Sequence, residues 1–147
     1  MKIPFVDLKK QYESIKPEID NAIQSVIQDS AFIKGNHVNE FENNFKNLFG
    51  VNNCISVANG TDSLFIIMKM MGITSGDEVI TTSYSWISSS ETISLTGARP
   101  VFVDIEDDFY TINPDLIEEK INNNTRSLLV VHIQGQSCDM NKIKKIA

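Results

Sequence analysis

The chain has 147 residues, 41% of them hydrophobic and 22% charged, enough for one domain with a real core. Its net charge of −6 argues against a duplex nucleic-acid partner, and Lys142, Lys144 and Lys145 read only as a solvated helix face. No apolar run approaches the roughly 18 residues of a membrane span, and the opening Met1-Lys2-Ile3-Pro4-Phe5-Val6-Asp7 has no signal-peptide core, which points to the cytoplasm.

Residues 13–28 predict an amphipathic helix with Ile15, Ile19, Ala22, Ile23, Val26 and Ile27 on one stripe, Pro17 falling in its first turn or just before a restart. A loop, Ser30 to His37, carries Phe32 and Gly35. A second amphipathic helix, with Val38, Phe41, Phe45, Leu48 and Phe49 at helical spacing, is expected to end near Gly50. The first 50 residues thus form a helical arm, and residues 51–147 a separate body.

From residue 54 strands and helices alternate: strand 54–58, helix 61–71, strand 78–82, helix 86–96, strand 101–104, helix 114–121, strand 127–132, and a last helix beginning near Asp139. The strands are continuous apolar runs. That favours a parallel sheet buried on both faces, with the helices as crossovers.

Ligands of such sheets bind beyond the carboxyl ends of the strands. One expected rim therefore gathers Asn59-Gly60-Thr61, Ser83-Tyr84-Ser85-Trp86, Asp104 and His132-Ile133-Gln134-Gly135-Gln136. A strand, a glycine turn and a helix start bearing Thr61 and Ser63 can cradle an anion, because the first-turn N–H groups are free and the helix dipole favours negative charge. No Lys follows the glycine and no G-x-G-x-x-G occurs, so neither the nucleotide-triphosphate loop nor the dinucleotide fingerprint is present. An ordinary Asn-Gly turn with a Thr or Asp cap accounts for the same local pattern. A bound phosphate requires the Asp62 carboxylate to turn away. Trp86, the sole tryptophan, is either a core anchor or a flat face for a planar ring. His132 reads as a satisfied strand-end histidine, and Gln134 and Gln136 as solvent-facing or loop-bonding amides. Cys54 and Cys138 are expected as free thiols, and His37 and His132 lack metal-ligand spacing, so no metal is expected.

In order along the chain come Pro4-Phe5-Val6-Asp7-Leu8, Gln11-Tyr12, Phe32-Ile33-x-Gly35-x-x-Val38, Phe41-Glu42, Ala58-Asn59-Gly60-Thr61-Asp62-Ser63-Leu64, Gly76-Asp77-Glu78-Val79-Ile80, Gly97-Ala98-x-Pro100-Val101-Phe102-Val103-Asp104 and Val131-His132-x-x-Gly135-Gln136. Together these segments resemble the sugar aminotransferase family of fold-type-I pyridoxal-phosphate enzymes, the DegT/DnrJ/EryC1/StrS family.

The resemblance implies an α/β fold: an N-terminal helical arm, then the first part of an aspartate-aminotransferase-like large domain with three α/β/α layers and a mostly parallel sheet. It implies pyridoxal 5'-phosphate as cofactor, with Gly60, Thr61 and Asp62 at its phosphate and Trp86 stacked on its ring, and Phe32 bordering a sugar pocket. It implies transfer of an amino group from an amino acid, glutamate by expectation, to a nucleotide-linked keto-sugar, at a homodimer interface. At Gln134 the family more often has an aromatic. The family's Schiff-base lysine and the aspartate facing the pyridine nitrogen match no segment here. The expectation is that they lie beyond Ala147, that the chain is an N-terminal part, and that it is inactive alone. Two alternatives stay open: a sugar dehydratase of the same family, and a truncated binding or dimerisation module.

Overall fold

The computed structural model describes residues 4–147, so the opening Met1-Lys2-Ile3 lies outside the described residues. The chain divides into two compact units, one ending at Ser56 and the other spanning Val57–Ala147.

The first unit holds helices α1 (Leu8–Gln28) and α2 (Asn36–Phe49). α1 starts earlier than its apolar stripe suggests, because Asp7 Oδ1 accepts the Lys10 N–H at 2.9 Å and caps the helix there. Pro17 is consequently inside the helix, not in its first turn. It cannot donate to the Glu13 carbonyl. The turns on either side are tied by Tyr12 Oη donating to Asp20 Oδ1 (2.7 Å), Lys16 Nζ donating to Tyr12 Oη (2.9 Å), and a Lys16–Asp20 ion pair. α2 ends where expected. Gly50 takes a left-handed backbone (φ 64°) and its N–H returns to the Lys46 carbonyl. The rings of Phe41, Phe45 and Phe49 run along α2 with centroid separations of 5.9 and 4.4 Å.

The expected strand 54–58 does not form: residues 54–58 pair with no strand among the described residues. The Ser56 N–H, which a ladder would use, donates instead to Glu42 Oε1 at 2.7 Å. This bond holds the Glu42 carboxyl below its ordinary range.

The second unit is built on α3 (Gly60–Met70), β1 (Glu78–Thr82), α4 (Ser88–Leu95), β2 (Arg99–Val103), β3 (Thr125–Leu129) and α5 (Met140–Ile146). The sheet order is β2-β1-β3 and all pairs are parallel, with Ile80 opposite Val101 on one side and Leu128 on the other. Alternation along β1 separates two cores. Val79 faces Met68, Ile73, Ile93 and Ala98, beneath α3 and α4. Ile80 faces Val103, Ile112, Ile117, Cys138 and Ile143, beneath α5 and two 3-10 turns. This is the three-layer α/β/α arrangement.

Several boundaries differ from expectation for identifiable reasons. β3 starts at Thr125 and ends at Leu129, not 127–132, because its partner β1 starts at Glu78 and leaves the ladder after Thr81. β2 starts at Arg99, also opposite Glu78, and includes Pro100, whose missing N–H is tolerated on an edge strand. Residues 114–121 form two 3-10 turns, Pro114–Leu116 and Glu118–Lys120, rather than an α-helix. So short a segment gains little from helix propagation, and two turns suffice to bury Ile117. Burial on both faces holds for β1, all five of whose residues are buried, but not for β2 or β3. At the turn into β2, Gly97 has φ 93° and a Cβ there would lie 3.3 Å from Ser75 N, so both backbone and space require glycine.

Two acids lock the amino-terminal rim of the sheet. Asp77 accepts the Thr74 N–H (2.9 Å) and the Arg126 Nε–H (3.0 Å). Buried Glu78 accepts from Asn122 Nδ2 (2.9 Å) and pairs with Arg99. Both carboxyls sit below their ordinary range, Asp77 mainly through the Thr74 amide and Glu78 mainly through the Asn122 amide. Their contribution is complete above the unfolded carboxyl range, about pH 4, and is lost as pH falls through the lowered folded values. Glu78→Gln is therefore expected to lower the melting temperature at pH 7, with the gap to wild type narrowing at pH 3. Equal gaps at both pH values would show that the charge contributes nothing.

Candidate functional site at the carboxyl rim of the sheet

α3 runs back to the start of β1 through the short segment 71–77, with Ile73 packed beside Val79. α4 follows the end of β1 and returns to the start of β2. Both helices therefore run against the strands, and both N-termini lie toward the carboxyl ends. This orientation is what places a helix start beside the loops that leave the strands.

Asn59 caps α3. Its Oδ1 accepts the Asp62 N–H at 2.9 Å, and its Nδ2 donates to Asp62 Oδ2 at 3.2 Å. The Asp62 carboxylate is thus turned onto the cap. Ser63 differs from expectation: its hydroxyl donates to the Asn59 carbonyl (3.2 Å), which its own N–H also reaches (3.1 Å). Two backbone donors, the N–H groups of Gly60 and Thr61, have no acceptor among the described residues. A Cβ placed on Gly60 would meet no atom within 4 Å, and its φ is not left-handed. Neither packing nor backbone conformation therefore demands glycine there. The space beside Gly60 is open, next to two unspent donors.

Trp86 is not a core anchor. It is 77% exposed, in the loop before α4, where its carbonyl accepts the Ser89 N–H at 3.0 Å. The same loop is fastened below it by a Ser85–Ser89 hydroxyl bond of 2.7 Å. At the root of the loop the Ser83 N–H donates to the Val103 carbonyl (3.0 Å), and its hydroxyl reaches Asp104 Oδ1 (3.3 Å). The ends of β1 and β2 are thereby joined.

One aromatic contact was not anticipated. Tyr84 and Tyr110 lie 6.3 Å apart between ring centroids, and both are exposed. Tyr110 reaches this position from a tight hairpin closed by an Ile105–Ile112 bridge, with its own backbone left-handed (φ 59°). The two rings are 26 residues apart in sequence and meet only through the fold, so periodicity carries no signal for them.

On the β3 side, His132 Nδ1 accepts the Cys138 N–H at 3.1 Å, and Cys138 Sγ donates to the Val131 carbonyl at 3.2 Å. Burial pushes the Cys138 thiol up from its ordinary value. Gln134 is held left-handed (φ 52°) next to Gly135 (φ 84°), and the Gln136 amide bonds the Ser137 carbonyl. Phe32 belongs to the first unit, in the loop between α1 and α2. It is 69% exposed and borders an apolar groove with Ala22, Ile23, Val26, Ile27 and His37.

The sequence model of the DegT/DnrJ/EryC1/StrS aminotransferase family matches residues 13–147. The UDP-2-acetamido-2-deoxy-3-oxo-D-glucuronate aminotransferase of Pseudomonas aeruginosa is 41% identical over 99% of this chain and 40% of its own length. The dTDP-3-amino-3,6-dideoxy-alpha-D-galactopyranose transaminase of Aneurinibacillus thermoaerophilus is 43% identical over 99% of this chain and 40% of its own. The crystal structure of NtdA from Bacillus subtilis with bound cofactor PMP superposes with a TM-score of 0.94, at 30% identity, over 99% of this chain and 34% of that one. The chain spans about 40% of the length of the curated relatives it matches.

Proposed function

Because the chain belongs to the DegT/DnrJ/EryC1/StrS aminotransferase family, we propose that it is the cofactor-cradling part of a pyridoxal-phosphate-dependent aminotransferase. The whole protein would move an amino group from an amino acid, glutamate, to a nucleotide-linked keto-sugar in the cytoplasm, as a homodimer. One observation carries the reading: two unspent N–H groups at the start of α3 under open space at Gly60, with the nearest carboxylate, Asp62, already bonded to Asn59.

The residues present fit the cofactor. The Gly60 and Thr61 N–H groups and the Thr61 hydroxyl would hold its phosphate, helped by the α3 dipole. Asp62 acts indirectly, by fixing the Asn59 cap that aims these donors. The exposed face of Trp86 would cover the pyridine ring and exclude water from one side. Phe32 would border the sugar. The bound cofactor supplies an electron sink for the carbon that loses its proton. Among the described residues this rim offers no lysine to move that proton: Lys142, Lys144 and Lys145 lie on α5, on the opposite face of the sheet from α3. The chain alone would hold the cofactor without transferring an amino group. The dehydratase alternative loses support, since the two relatives described above are named as an aminotransferase and a transaminase.

Titration of the single tryptophan tests this. Pyridoxal phosphate is expected to quench Trp86 fluorescence saturably, inorganic phosphate to compete, and pyridoxal without phosphate to bind at least tenfold more weakly, the loss of one or two charge-assisted hydrogen bonds. Quenching of equal strength by pyridoxal would remove the phosphate cradle, and amino transfer from glutamate by the chain alone would remove the need for an external lysine.

A further inference from the structure

We propose that His132 is a positioning residue that presents a fixed Nε2–H donor to an anionic oxygen of the ligand at the carboxyl rim, a proposal that rests on the cradle reading above. An imidazole nitrogen that accepts a hydrogen bond must carry a lone pair. His132 Nδ1 accepts the Cys138 N–H at 3.1 Å, so the neutral ring carries its proton on Nε2.

The bond is held from both ends. Cys138 is 4% exposed, packed with Ile80, Ile112 and Ile143, and its thiol bonds the Val131 carbonyl. The acceptor side of the ring is thus anchored to the core, while the residue itself is exposed and Nε2 has no acceptor among the described residues. Position adds the rest. β3 is the neighbour of β1 and parallel to it, so His132 leaves the sheet on the same rim as the loop carrying Trp86. An exposed Nε2–H is hydrated in the free protein, and a ligand oxygen can take the place of that water. Here one nitrogen is spent to orient the other outward. Two oxygens have the required chemistry, the phenolate of the pyridine ring and the carboxylate of the amino-acid donor.

Nitrogen NMR on the full chain labelled in histidine and backbone amides separates the possibilities, with His37→Gln leaving His132 as the only imidazole. The free chain is expected to show one protonated and one bare ring nitrogen, the protonated one being Nε2. Inorganic phosphate should shift the Gly60 and Thr61 amides and leave His132 unmoved. Pyridoxal phosphate, or glutamate, should shift the His132 Nε2–H, and whichever does so identifies the oxygen. A proton on Nδ1, a shift of His132 by inorganic phosphate, or no shift with either larger ligand while Gly60 and Thr61 respond, would overturn the donor assignment. Gly60 and Thr61 unmoved by any phosphate ligand would overturn the cradle, and the assignment with it.

Discussion

Gly60→Ala is expected to make the chain more stable and its phosphate site worse. The backbone at Gly60 is not left-handed and a Cβ there meets no atom within 4 Å. Replacing glycine by alanine at such a compatible position restricts the unfolded chain and gains about 0.4–1 kcal/mol. A helical Cβ leans toward the helix N-terminus, so the new methyl enters the space above the free Gly60 and Thr61 N–H groups. An oxygen bonded to those donors must approach within about 3 Å of nitrogen. Pyridoxal-phosphate affinity, read from Trp86 quenching, should fall tenfold or more, about 1.4 kcal/mol, while the denaturant midpoint rises. Opposite signs in the two measurements cannot come from a damaged fold. Unchanged affinity would mean that no phosphate sits over Gly60.

How far the sequence reaches depends on what fixes each feature. β1 and the end of α2 were legible with their boundaries, because Gly76-Asp77 and Gly50 punctuate locally. The limits of β3 were not, since an apolar run from 127 to 132 says nothing about where β1 stops pairing. Segment 54–58 has a strand's composition, but a strand also needs a partner, and Glu42 takes the Ser56 N–H instead. The apolar stripe begins only at Ile15, so it carries no signal for the start of α1 at Leu8, which the Asp7 cap sets.

The site follows the same division. The glycine turn and the helix start were readable as adjacent residues, as was the need for Asp62 to turn away, which its bonds to Asn59 provide. The bond from the Ser63 hydroxyl to the Asn59 carbonyl was not readable, because a hydroxyl chooses among acceptors only once the turn exists. The Tyr84–Tyr110 contact depends on a hairpin closed far along the chain.

Ile80→Ala should produce the converse of Gly60→Ala: a weaker fold with an intact site. Ile80 is fully buried at the centre of β1, against Val103, Ile112, Ile117, Cys138 and Ile143. Removing its outer carbons loses transfer free energy and leaves a cavity that flanking strands on both sides hold open, a cost of about 2–5 kcal/mol. Against a typical domain stability of about 5–15 kcal/mol that is a large share, and thermal melts should show it plainly. Ile55→Ala, at a side chain 78% exposed, should by contrast stay within about 0.5 kcal/mol of wild type. Below its melting temperature the Ile80→Ala chain should still bind pyridoxal phosphate within a few-fold of wild type. The donors of Gly60 and Thr61 are set by the Asn59 cap, and the Trp86 loop by Ser83, Ser85 and Ser89; of these Ser83 alone is bonded to a residue of the Ile80 core, and only through the backbone carbonyl of Val103, which the substitution leaves in place. Loss of binding at a temperature where the chain remains folded would show that the rim is positioned through the Ile80 face after all, and that cap and loop bonds alone do not hold it.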